Sequence, residues 1–267
     1  KLFAAALFPG LLLAFLYIAY IVVFCMISKN AAPAISADEL EGTRLTQFIR
    51  AGWNMIPAIF LVTSVLGLII AGITTPTEGA GIGAFAAMIL TAFNKQLNYK
   101  NLKSAAEGTL IITSMVMFII IFSGFYNSVF LFLGGGTLIK SALMSLPFGK
   151  WFVLFIMMFI LFIGGFFISW QGLLYIVIPI FIPVVKALGF DPIWFAILVC
   201  LNLQMSFLTP PFAYSIFFVK GVAPPEVTTW DIYRGVVPFV AVQAITLTVC
   251  IIFPQIITWL PRVTIGS

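Results

Sequence analysis

Long runs without one charged residue, each broken near its middle by Gly, Pro and hydroxyl side chains, constrain this chain more than any other feature. The run from Trp151 to Val185 contains Gly164-Gly165 and then Ser169-Trp170-Gln171-Gly172. The run from Pro192 to Val219 contains Asn202, Gln204 and Leu208-Thr209-Pro210-Pro211. Such runs suit a bilayer, where about 20 apolar residues make one helical crossing. In hydrocarbon every backbone N–H and C=O needs a partner, so a break at that depth survives only where protein or a watery cavity covers it.

Composition agrees. The chain is 63% hydrophobic and 8% charged, with a mean hydropathy of +1.20, whereas about a quarter of the residues of a soluble domain are charged. It reads as an all-α integral membrane protein, a polytopic helical bundle; the period-2 alternation of a membrane barrel is absent. Charged residues gather around Lys29 to Arg50, Lys95 to Glu107, Lys140 to Lys150, Lys186 to Asp191 and Lys220 to Arg234, and these clusters are the loops. The basic residues behind the net charge of +5 sit singly between spans. They are membrane flanks rather than a nucleic-acid surface.

Several chemistries drop out. The chain has no histidine, which removes ordinary zinc and haem sites and a Ser-His triad. The continuous apolar spans hold no Asp or Glu, so an intramembrane enzyme lacks its acid–base groups. Cys25, Cys200 and Cys250 lie far apart inside apolar runs and read as packing residues. The apolar run from Leu2 to Ile27 is too long for the core of a signal peptide and contains Pro9, so it reads as a spanning helix. The chain opens on Lys1 rather than Met, which leaves room for residues before it.

Along the chain, Leu2 to Ser28 forms a first span, and Gly52 to Asn94 divides into two helices at Thr74-Thr75-Pro76-Thr77-Glu78. Ala105 to Leu133 is another, followed by the two broken runs and a last span from Gly235 to Trp259. About seven to nine membrane-embedded helical pieces are expected. The lysine-bearing loop from Lys95 to Lys103 is the best candidate for the cytoplasmic side.

Three places could carry chemistry. Thr75, Thr77 and Glu78 surround Pro76 in the pattern of a capping box; Glu78 is also the acid set most deeply between apolar runs, so an ion-binding role stays open. At Leu208-Thr209-Pro210-Pro211 two prolines remove backbone donors, releasing carbonyls around Gln204 to Phe207. Those carbonyls and the Thr209 hydroxyl would make a neutral oxygen cage suited to Na⁺, and broken helices are how secondary transporters build such sites. A packed proline kink is the alternative. Gly164-Gly165 supplies a matching break, read as a re-entrant hairpin with its tip at Phe166 to Gly172, against a straight span with glycines for close packing. Asp191-Pro192 and Thr228 to Asp231 read as helix starts, and Asn54, Asn127 and Asn202 as interhelical hydrogen bonders.

Gly72-Ile73-Thr74-Thr75-Pro76-Thr77-Glu78-Gly79-Ala80, the Gly164 to Trp170 break, Leu188 to Phe195, Asn202 to Phe212 and Lys220 to Pro225 together carry a resemblance. The sequence resembles the large membrane subunit of tripartite ATP-independent periplasmic (TRAP) transporters along essentially its whole length. The resemblance implies a Na⁺-driven elevator importer of organic acids in a bacterial inner membrane. It would work with a small membrane subunit and a periplasmic binding protein, with no cofactor beyond Na⁺ as coupling ion.

It further implies that this chain is similar to the carboxyl-terminal portion of that subunit, one half of an inverted-repeat fold, the other repeat being cut away or carried by another chain. Residues 1–103 would be scaffold-like helices, 104–218 a transport-domain-like hairpin and discontinuous helix, and 219–267 a terminal membrane helix. Candidate Na⁺ ligands are Gly164, Gly165, Ser169, Gln204, Thr209 and Pro210; candidate substrate-side residues are Ser169, Trp170, Thr209 and Pro211. Ser169 stands where many members of that family carry Asp, and Ala213 where they often carry Gly, so this tip is less charged than theirs. A passive channel or a structural membrane subunit is the rival reading, although charge rings and a continuous polar face are lacking.

Overall fold

The structure, a computed structural model, describes residues 1–28, 44–210, 215–216, 219–220, 223–224 and 226–265. Those residues are helical, with no strand among them. The elements are α1 (Leu2–Ile27), α2 (Arg44–Ile70), α3 (Pro76–Phe93), α4 (Tyr99–Phe132), α5 (Gly135–Met144), α6 (Gly149–Gly164), α7 (Trp170–Ala187), α8 (Pro192–Leu208), α9 (Thr229–Ile252) and α10 (Gln255–Ile265). Five of them, α1, α3, α4, α7 and α9, are long and apolar enough to cross a membrane, and the chain is a multi-pass membrane protein.

The helix starts follow the local chemistry. Thr75 caps α3 and Thr228 caps α9, each in a reciprocal capping box with the acid three residues on, Glu78 and Asp231. Asp191 caps α8 through the N–H groups of Ile193 and Trp194, with Pro192 in the first turn. Each cap satisfies backbone donors that a helix leaves open at its start.

Several boundaries differ from the sequence expectation. Helices α2, α4 and α9 begin at Arg44, Tyr99 and Thr229 instead of Gly52, Ala105 and Gly235, so Lys100, Lys103 and Glu107 lie in α4 and Asp231 and Arg234 in α9, because the opening turns of a helix hold polar side chains as readily as a loop does. Two further differences each add a short helix among the described residues. Gly134 does not end the fourth helical stretch in a loop; it adopts φ 81° and caps α5 directly. The expected single last span is two helices, because Pro254 has no N–H with which to continue α9.

Helix α8 lies at the centre. It packs on α6, α7, α9, α1 and α10, while α4 and α5 pack on α7, and α2 packs on α3. Phe195, Leu198 and Val199 of α8, Met157 and Leu161 of α6, and Val184 and Val185 of α7 are wholly enclosed. Large apolar side chains on α1 and α4, such as Phe15, Ile18, Phe118 and Phe125, are exposed. That pattern is the inverse of a soluble domain and suits helices bathed in lipid.

Two proline-deprived carbonyls are answered by side chains from other helices. Pro179 takes from Tyr175 its normal i+4 donor, and the Asn127 amide of α4 donates to the Tyr175 carbonyl at 2.5 Å. Pro254 does the same to Cys250, whose carbonyl accepts from the Trp194 indole N–H of α8 at 3.0 Å. Asn202 of α8 donates to the Met158 carbonyl of α6 at 2.7 Å. Asn127 and Asn202 are thus the interhelical hydrogen bonders that the sequence suggests; the side chain of Asn54 lies outside the described residues.

Asn127→Ala should leave the Tyr175 carbonyl unpaired and destabilise the fold by about 1–3 kcal/mol. Adding Pro179→Ala restores an N–H at the right position and should return part of that loss. Denaturant unfolding in detergent micelles measures both; equal losses for the single and the double variant would show that the bond contributes nothing.

Candidate functional site

The end of α6 turns back through a compact reversal. Gly165 N–H donates to Leu161 at 2.9 Å, Phe166 N–H to Ile163 at 3.1 Å, and the N–H groups of Phe167 and Ile168 both reach the Gly164 carbonyl, at 3.1 and 2.9 Å. Ser169 then caps α7: its hydroxyl oxygen accepts from Gly172 N–H at 3.4 Å. The reversal therefore occupies residues 165–169, shorter than the tip expected at Phe166 to Gly172, because Trp170, Gln171 and Gly172 already form the first turn of α7.

Each glycine of the pair has its own contact. A Cβ on Gly164 would come to 3.0 Å from Cδ2 of Leu173, so this residue lets the end of α6 and the start of α7 close on each other. A Cβ on Gly165 would come to 2.4 Å from both Cβ and Oγ of Ser206 in α8. The bare Cα of Gly165 is what allows the hairpin tip to rest on the last turn of α8.

That last turn ends where the sequence places the break. Pro210 offers no N–H to the Ser206 carbonyl, and Thr209 N–H takes its place at 3.2 Å. The Met205 carbonyl, left without that N–H, accepts instead from the Thr209 hydroxyl at 2.7 Å. A hydroxyl that donates its proton inward keeps its lone pairs for another partner. Pro211 would likewise deprive Phe207; Pro211 and Ala213 themselves lie outside the described residues, and helical backbone is present again at Ser215 and Ile216. Among the described residues no donor reaches the carbonyls of Gly165, Phe166, Phe167, Ile168 or Phe207.

Tip and break also share a cavity of about 410 Å³, bounded by Met115 and Ile119 of α4, Ser169, Trp170 and Gln171 of the hairpin, Phe207 of α8, and Ser215. Trp170 and Phe207 meet edge to face, with ring centroids 6.5 Å apart. Among the described residues, no Lys, Arg, Asp or Glu lines the space.

The structure rests Gly165 on Ser206 of α8 and sets Ser169 and Trp170 beside Phe207 at the cavity, while Thr209 is the C-cap of α8 two residues on; the other sequence candidates lie differently. The Gly164 carbonyl is already occupied by two N–H groups. Gln204 is exposed inside continuous α8, two residues on from Asn202 and so on the opposite face. Pro210 is exposed at the turn. Thr75, Thr77 and Glu78 cap α3, whose packing is on α2, and the Glu78 carboxylate accepts from Thr75 N–H at 2.7 Å and from the Thr75 hydroxyl at 2.9 Å. Sequence reasoning missed Ser206, Gln171, Ser215 and the α4 wall. Gln171 had a signal, beside Ser169 and Trp170 in the polar break of an uncharged run, and so had Ser206, a small residue in the last turn before the break.

Gly165→Ala should force the tip off α8 and cost about 1–3 kcal/mol. The second-site change Ser206→Gly, which clears both clashing atoms, should recover most of it. Thermal unfolding of the two variants in detergent tests this; loss without recovery would mean that Gly165 is required for something other than its contact with Ser206.

The family described as "Tripartite ATP-independent periplasmic transporter, DctM component" matches over residues 1–256. The chain is 27% identical over its full length to the C4-dicarboxylate TRAP transporter large permease protein of Vibrio cholerae, covering 61% of that protein. It is 27% identical over 99% of its length to the sialic acid TRAP transporter permease protein of Haemophilus influenzae, covering 42% of it. A third relative, the ectoine/5-hydroxyectoine TRAP transporter large permease protein of Ruegeria pomeroyi, is 28% identical over 97% of the chain, which covers 59% of that protein. The chain therefore spans about half the length of the curated relatives it matches.

Proposed function

Because this chain belongs to the DctM component family of tripartite ATP-independent periplasmic transporters, whose members are transporters and not enzymes, we propose that it is the carboxyl-terminal half of a Na⁺-coupled importer of organic acids. The contact of Gly165 with Ser206 carries the reading, since it sets a reversal and a helix break against each other at one cavity.

The oxygens suit Na⁺. Gly165 and Phe207 offer carbonyls without a described donor, and Thr209 offers a hydroxyl whose proton is already committed to Met205. These are hard, neutral ligands, in keeping with the coordination of Na⁺ by unwound backbone at broken helices. An ion bound to both elements favours the conformation in which they touch, by the difference between its affinities for the closed and open forms. Closure over a loaded site is what lets a transport domain cross the membrane as one body.

Helix length supports a hairpin that enters and leaves by one face. Residues Gly149–Gly164 make α6 about 24 Å long, short of a hydrocarbon core of about 30 Å. On this reading α6, α7 and α8 move against a scaffold that includes α2 and α3, in elevator fashion. The inner membrane, a small membrane subunit and a periplasmic binding protein complete the proposal; the family's tripartite name supports the last two.

The test is the melting temperature of the purified protein in nanodiscs, in NaCl against choline chloride of equal ionic strength. Sodium should stabilise the protein, and Thr209→Ala should raise the sodium needed for half the effect by about tenfold, the equivalent of ~1.4 kcal/mol. Identical stability in the two salts would sink the coupling. Vesicles should also accumulate substrate uphill under an imposed sodium gradient, where a channel would only equilibrate.

A further inference from the structure

From the lining of the cavity between tip and break we infer a subsite for the single carboxylate of an apolar monocarboxylic acid, with Gln171 as its specificity-determining residue; this deepens, and rests on, the transport reading above. Gln171 is 9% exposed, faces the cavity, and has no hydrogen-bond partner among the described residues. Its amide opens onto the cavity instead of onto a protein partner, so its donor and acceptor are free for a ligand there. Its position adds to the case. Gln171 stands in the first turn of α7, where the N–H groups of Trp170 and Gln171 have no described acceptor, whereas Gly172 N–H is taken by Ser169. Free N–H groups and the positive end of an 18-residue helix attract an anion, and the NH₂ of Gln171 and the hydroxyl of Ser215 add donors at the same place.

The rest of the wall limits what the anion can be. Met115, Ile119, Trp170 and Phe207 are apolar or aromatic, and among the described residues no cation lines the space. One carboxylate can be met by the helix end and the amide. A second would have to leave water without a partner, which is strongly unfavourable. The apolar wall favours a hydrocarbon body in its place. The expected class is therefore a compact monocarboxylate with a branched or aromatic body, unlike the dicarboxylate named for the Vibrio cholerae relative.

Isothermal titration of the protein in nanodiscs, in NaCl, uses three probes of similar size: isovalerate, its neutral analogue isovaleramide, and succinate. Isovalerate should bind about tenfold or more tighter than succinate, with isovaleramide weaker than isovalerate. Gln171→Glu, which puts a negative charge where the carboxylate goes, should weaken isovalerate by about tenfold or more, and Gln171→Met, similar in size without the amide, by a smaller factor. Thermal melts in NaCl verify that both variants fold; should Gln171→Glu fail to fold, Gln171→Met carries the test. Succinate binding as tightly as isovalerate, no saturable binding of any probe, or wild-type affinity in the folded variants would overturn the subsite. Those results leave sodium stabilisation untouched, whereas failure of the transport reading abolishes it.

Discussion

A carbonyl that loses its helical donor in hydrocarbon has nowhere to turn but to protein, and this structure is organised around that constraint. Proline creates the deficit at known positions, four residues after the carbonyl concerned. At Tyr175 the deficit is met by Asn127, at Cys250 by Trp194, and at Ser206 by the N–H of Thr209. The first two donors come from other helices, so the prolines that weaken α7 and α9 locally also tie α7 to α4 and α9 to α8. Local irregularity and tertiary connection are the same bonds seen from two sides.

At the end of α8 the repair is incomplete. Thr209 serves two carbonyls at once, Ser206 through its N–H and Met205 through its hydroxyl, and no described donor remains for Phe207. On the facing reversal, the N–H groups that would go on along α6 fold back onto Leu161, Ile163 and Gly164, and the carbonyls from Gly165 to Ile168 are left over. A surplus of acceptors on two touching elements is a place for a cation in chemical terms. Within the same few residues the start of α7 has a surplus of donors, which is a place for an anion. The proposed coupling of an ion to a carboxylate rests on those opposite surpluses lying side by side.

Much of the fold was legible in the sequence because its signals are local. Uncharged runs, Asp191-Pro192, Thr75-Pro76-Thr77-Glu78 and Thr228 to Asp231 announce spans and caps through interactions that reach no further than one turn. Both broken regions are visible as Gly pairs and Pro pairs. What stayed hidden depends on which faces meet. Gly164 and Gly165 are equivalent in sequence, yet one faces Leu173 and the other Ser206. Gln204 is as polar as Gln171, yet a helical phase difference leaves one exposed and encloses the other. The split at Pro254 was missed because hydropathy runs on through it; the helix does not, since a missing N–H is invisible to any average over side chains.

The contact between Gly165 and Ser206 sets how the two surpluses can respond to one another. Because the tip rests on α8 through a bare Cα, the elements approach closely but share no side-chain hydrogen bond at that point. The Ser206 hydroxyl donates instead to the Asn202 carbonyl at 3.3 Å, and Asn202 in turn holds Met158 of the first hairpin arm. On the proposed Na⁺-coupled reading, this divides the labour: Asn202 keeps α6 and α8 together, while closure of the tip is left to the ion that binds there. A hydrogen bond between tip and break would favour the closed state without an ion and weaken the coupling, since a ligand governs a conformational equilibrium only through its own differential affinity. Gly at 165 therefore suits a closure that is meant to be conditional, and a bonding side chain there would make it permanent.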